Sequence, residues 1–187
     1  MKCSRILTLA VTTALFTFYA CNPVGDHRLE TPAFNPMIAA FTSGIIYSES
    51  PVQVRFAEPI ADSVEINGKV EKGILSLDPS VEGGVYYVDR QTIEFRPEGR
   101  FSQGTAYDVR VNLNKLFPKA TTSKTFDFRF HTIEQHMHIE LEGFRPYNDY
   151  RPEMNYLTAT ITTADIADPE AMRKVIEVVQ DGETLPV

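Results

Sequence analysis

The sequence predicts an all-β chain, one β-sandwich followed by a partial second β-sandwich. Three observations carry that expectation. In Ser50-Pro51-Val52-Gln53-Val54-Arg55-Phe56, Val52, Val54 and Phe56 alternate with Gln53 and Arg55, the period of a strand with one buried face. The same period recurs in Tyr107, Val109, Val111 and Leu113, and again in Phe126, Phe128 and Phe130. Turn signals separate these short runs, and about seven strands over about 90 residues suggest a sandwich.

Residues 1–20 are kept out of the fold. Lys2 and Arg5 make a basic start, and Ile6 to Ala20 carries no charge. That run is shorter than the roughly 20 apolar residues of a membrane-crossing helix and reads as a signal peptide. Its removal takes two cations and no acid, so the formal charge moves from −7 to −9. An acidic chain of this kind disfavours nucleic acid as a partner. Cys3 leaves with the signal, so Cys21 has no cysteine to pair with and no disulfide framework is expected.

Residues 21–40 form a tether. Pro23, Pro32 and Pro36 forbid a continuous helix or a central strand. Residues 41–132 form the first sandwich. Residues 39–47 read as its first strand, followed by the bounded strand between Pro51 and Pro59. Val64 and Ile66 lead into Asn67-Gly68, the sequence of a type I′ hairpin turn, with Val70 on the return. Ile74, Leu75 and Leu77 run to Asp78-Pro79, a loop signal, and Gly83-Gly84 reads as a further break. Val85 to Val88 and the Ile93/Phe95 alternation flank an Asp89-Arg90-Gln91 turn, and Phe101 is expected to plug the core from a loop.

Residues 133–187 read as an incomplete second β-domain. Met137, Ile139 and Leu141 alternate, Gly143 to Pro152 reads as an aromatic loop, and Leu157, Ala159 and Ile161 alternate again. Asp168-Pro169 is a helix start, with Asp168 as N-cap. The helix should be only a turn or two, because Val175, Ile176, Val178 and Val179 favour strand. Asp181-Gly182 makes a turn before Leu185-Pro186-Val187. Either the sequence is a fragment of a longer protein, which is the expectation, or its end packs unusually.

The residues offer little chemistry. His131, His136 and His138 lie close in sequence, yet no further ligands show matching spacing, so no metal site is expected. Glu140 and Glu142 lack a catalytic partner. Asp62, Asp78 and Glu82 do not follow a calcium-loop pattern. Ser43, Ser48 and Ser50 lack a Gly-x-Ser-x-Gly setting. Tyr86, Tyr87, Tyr147 and Tyr150 suit packing better than a ligand face. No enzyme and no cofactor is expected.

Phe18-Tyr19-Ala20-Cys21 at the end of an apolar run resembles a bacterial lipoprotein cleavage site, which implies a lipidated Cys21 as the mature N-terminus. The strands at 50–60, 93–97, 104–109 and 126–130 resemble those of a bacterial Ig-like domain over residues 43–132. With Leu157-Thr158-Ala159-Thr160-Ile161-Thr162-Thr163 and Gln180-Asp181-Gly182, their order resembles the amino-terminal region of a bacterial alpha-2-macroglobulin of the Bacteroides type. That resemblance implies a non-catalytic module of a lipid-anchored protease trap in the cell envelope. Its partners would be a membrane through Cys21, further β-domains of the same polypeptide, and proteases met by the parent protein. The thioester of some family members has no counterpart here. The alternative is a structural or adhesive Ig-like module of another surface or periplasmic lipoprotein.

Overall fold

The computed structural model describes residues 32–119, 123–148, 150 and 154–185. Two four-stranded sheets face each other across one apolar core. The first holds β1 (Ile38–Phe41), β3 (Val52–Phe56), β6 (Thr92–Pro97) and β5 (Gly83–Tyr87), in the order β1-β3-β6-β5. The second holds β2 (Gly44–Ile46), β8 (Thr125–Thr132), β7 (Ala106–Asn112) and β4 (Leu75–Asp78), in the order β2-β8-β7-β4. The all-β sandwich predicted from alternation is therefore the observed architecture.

Val52, Val54 and Phe56 are fully buried, and Gln53 and Arg55 face out. Opposite them, register places Tyr107 across from Phe130, Val109 from Phe128 and Val111 from Phe126. Direct cross-strand pairs of this kind are where sheets gain side-chain stabilisation. Phe101 fills the core from its loop, as expected, with ring centroids 5.1 Å from Tyr107 and 5.3 Å from Phe130. The buried Tyr107 hydroxyl accepts the Ser102 N–H at 2.9 Å, so its polar tip is satisfied.

Four local expectations are corrected. Residues 39–47 do not make one strand. The chain pairs with β3 through Phe41, then leaves for the other sheet and pairs in parallel with β8 from Gly44. Gly44 turns the chain there at φ +82°, a conformation that costs other residues energy. The Asn67-Gly68 signal does not close a type I′ hairpin either. Gly68 N–H bonds to the Glu65 carbonyl, which puts Asn67 at the third turn position with φ 62°. Ile66 is exposed, and only Lys69 forms a bridge, to Tyr86. Gly83-Gly84 is not a break but the start of β5. A Cβ on Gly83 would collide with the Arg96 carbonyl and lie 2.6 Å from the Phe95 ring, so the glycine allows close approach rather than a turn. Leu113 belongs not to the preceding strand but to a single helical turn, α1 (Leu113–Leu116), whose N-cap is Asn112.

Beyond the sandwich, β9 (Met137–Pro146) and β10 (Asn155–Thr163) pair as an antiparallel ribbon. The strand runs through Phe144 to Pro146, so the expected aromatic loop begins later than Gly143. Gly143, at φ +129°, sits beside the register shift between Thr158 and Ala159. Asp168 caps α2 (Pro169–Val175) by accepting the Glu170 N–H at 3.1 Å. The final hairpin pairs β11 (Val178–Gln180) with β12 (Glu183–Leu185). Its two-residue turn has φ 53° at Asp181 and 86° at Gly182, as a type I′ turn requires.

Candidate functional site

The ribbon stands out as the surface most suited to contact. Met137, Ile139, Leu141, Phe144, Tyr156 and Leu157 are all exposed on it, Leu141 by 66%. Tyr147 and Tyr156 pack against each other with centroids 5.3 Å apart. A two-stranded ribbon is marginally stable alone, and clustered exposed apolar side chains mark a surface that associates.

The outward face of β4, β7 and β8 offers a second candidate, a hollow of about 510 Å³ lined by Ser76, Asp78, Asp108, Arg110, Asp127 and Arg129. Its cations are already engaged across the strands. Arg129 grips Asp108 through Nε at 2.7 Å and Nη2 at 2.9 Å, and Arg110 Nε meets Asp127 at 2.7 Å. The Arg129 bonds hold the Asp108 carboxyl below its ordinary value against a smaller opposing push from burial. A ligand would have to displace these pairs, so this face reads as a solvated charge lattice.

The sequence candidates fall in separate places. Cys21 lies outside the described residues. His131 is buried at the end of β8, whereas His136 is exposed with Nε2 3.9 Å from Glu134, and His138 lies exposed on β9. Glu140 and Glu142 are exposed on β9, and Glu142 accepts a bond from the Thr160 hydroxyl. The Asp62 carbonyl accepts from Arg90, Asp78 ends β4 opposite Asp108, and the Glu82 carbonyl accepts from Glu98. Among the described residues no three His, Cys, Asp or Glu side chains are grouped to hold a metal.

Ser43 is exposed, Ser50 is half-buried, and Ser48 is buried. Tyr87 packs on the core, and Arg96 lies 4.9 Å from the centre of the Tyr86 ring. Tyr147 is half-exposed yet packs on Tyr156, whereas Tyr150, beyond the end of β9, is 94% exposed and does not join the core.

Sequence reasoning missed Asp165. It is 5% exposed, between β10 and α2, and takes the Ser48 N–H at 2.9 Å. Burial works to raise its pKa, but the bonds from Ser48 and Ile166 outweigh it and leave the carboxyl below its ordinary value. The Ser48 hydroxyl lies near this carboxylate without forming a well-aligned hydrogen bond. No signal in Ala164-Asp165-Ile166 distinguishes this aspartate from an exposed turn residue.

Residues 40–116 match the family model described as Bacterial Ig domain. The sandwich is an Ig-like module. The match ends before β8, although β8 supplies Phe126, Phe128 and Phe130 to the module's core. Over 63 residues the chain is 43% identical to L,D-transpeptidase 2 of Mycobacterium tuberculosis (strain CDC 1551 / Oshkosh), a match covering 33% of this chain and 14% of that protein.

Two solved structures are also similar. An L,D-transpeptidase from Mycobacterium tuberculosis H37Rv is 14% identical, with a TM-score of 0.33 over 51% of this chain and 39% of that one. L,D-transpeptidase 3 from Mycobacterium tuberculosis is 15% identical, with a TM-score of 0.33 over 54% and 38%.

Proposed function

We propose that this chain is a non-catalytic, membrane-proximal spacer in a lipid-anchored protein of the bacterial cell envelope. The Ig-like module stands between a lipid on Cys21 and further β-domains of the same polypeptide. The carrying observation is the pairing of a closed, fully packed sandwich with an apolar ribbon that lacks a covering layer among the described residues. A sheet with one apolar face is stable once a second layer covers it. Several acyl chains hold a soluble module firmly to a membrane, at roughly 0.8 kcal/mol for each buried methylene. The finer reading makes the parent a bacterial alpha-2-macroglobulin protease trap, and the order of lipoprotein start, Ig-like module and second β-segment supports it.

A second reading has its own support. The identity to L,D-transpeptidase 2 favours an Ig-like module attached to an enzyme of that class. Reading the coding frame beyond Val187 separates the two. Many successive β-domains and a bait region support the trap, and a transpeptidase-like domain replaces it. Anchoring is tested by metabolic labelling with a fatty-acid analogue. The wild type should take the label and Cys21→Ala should not. Equal labelling of both removes the anchor from Cys21.

A further inference from the structure

We propose that Asp165 is the pin of a rigid joint that fixes the β9–β10 ribbon against the Ig-like module. The chain leaves the module through residues 133–136 and returns through 164–166. The Gln135 side-chain amide ties the two passes together, donating to the Asp165 carbonyl at 3.1 Å and accepting the Asp165 N–H at 3.0 Å. The Ala164 N–H bonds to the His136 carbonyl at 2.9 Å. Each pass is also tied to the module. Ile133 N–H bonds to Ile46, Gly104 N–H to Ile133, and the Gln103 side chain to the Ile166 carbonyl.

Asp165 closes the arrangement. One carboxylate oxygen takes the Ser48 N–H across 117 positions of sequence, and the other takes the Ile166 N–H at 2.8 Å. These partners are neutral N–H groups. A buried carboxylate is costly unless fully hydrogen-bonded, so losing one partner undermines the rest. A slack interdomain linker would be exposed and crossed by few contacts. This junction has a buried acid at its centre and bonds in both directions, so the two parts should turn together as one strut. The joint lies within residues 46–166 and depends neither on a lipid at Cys21 nor on which parent protein holds the module.

The test uses the full chain with Cys3 and Cys21 replaced by serine and spin labels at Glu58→Cys and Glu140→Cys. Wild-type Asp165 should give one narrow distance distribution and a protected Ser48 amide in hydrogen exchange. Asp165→Ala should broaden the distribution and speed Ser48 exchange by at least about tenfold, while the Val54 and Val109 amides stay protected. A broad wild-type distribution overturns the joint, and so does an Asp165→Ala variant that keeps the narrow distribution with its core intact, whatever its Ser48 exchange. If Asp165→Ala costs the Val54 and Val109 protection, Asp165→Asn and Gln135→Ala decide. Broadening in either with an intact core supports the pin, and a narrow distribution in both rejects it.

Discussion

Phe130 is fully buried where three aromatic rings meet: it stacks on Tyr107 with centroids 5.2 Å apart and meets Phe101 edge-on. Phe130→Ala should destabilise the module by about 3–5 kcal/mol in urea unfolding, the usual result of deleting a core ring. Two glycines separate steric fit from backbone freedom. Gly83→Ala places a methyl against the Arg96 carbonyl and the Phe95 ring and should cost about 1–3 kcal/mol. Gly99 has nothing within 4 Å of an added Cβ, so Gly99→Ala should be neutral within about 0.5 kcal/mol. Equal effects at the two sites would dismiss the close approach of β5 to β6 as the reason for Gly83. Asp165 adds a pH dependence with a definite sign. Its folded pKa lies below the ordinary 3.8, held there by the Ser48 and Ile166 bonds over the opposing push of burial. The stabilisation is therefore complete above that ordinary value and lost as pH falls through the lower folded value. The Ser48 amide resonance should hold its position from neutral pH down to about 5 and shift only in the acid range.

At the scale of elements, strands with one buried face were legible because alternation reports burial directly. This holds for β3, β7 and β8, where Val54, Val109 and Phe128 sit where their period places them. Legibility failed where a residue's role depends on distant chain. Gly83 looks like a turn residue until Phe95 lies beside it, and Asn67-Gly68 looks like a hairpin until the bond from Gly68 to Glu65 shifts the turn by one position. Glu94 is buried on the outward face of β6, satisfied by Gln53 at 2.8 Å and by Arg96, a pairing no local pattern announces. The candidate site divides the same way. The alternation of Met137, Ile139 and Leu141 was readable, but their exposure was not, since a period cannot say whether a covering layer is present. That exposure makes a prediction for the ribbon. Leu141→Lys should reduce binding of an apolar dye and any self-association, while the thermal midpoint of the sandwich stays within about 2 °C. A large fall in that midpoint would mean that Leu141 packs on the module.

For the molecule as a whole, stability should be uneven. The apolar core and its paired strands lie within residues 38–132, whereas β9 and β10 make their extensive contacts with each other. Regions with few buried apolar contacts open most readily, and a protease cuts what opens. Phe144 in β9 and Tyr147 just beyond it are exposed, whereas Phe56, Phe95, Tyr107 and Phe128 sit in sandwich strands that must separate before their backbone can enter a protease. Brief chymotrypsin digestion, followed by intact mass measurement, should therefore show cleavage after Phe144 or Tyr147 before any cut after those four strand aromatics. The joint sharpens the expectation, because bonds between 133–136 and 164–166 hold the base of the ribbon closed after its far end is cut. Asp165→Ala should then release a larger carboxy-terminal piece under non-denaturing conditions, whereas the wild type keeps the cut ribbon attached. Early cleavage within the sandwich strands would place the weakest element in the module itself and reverse this order of stability.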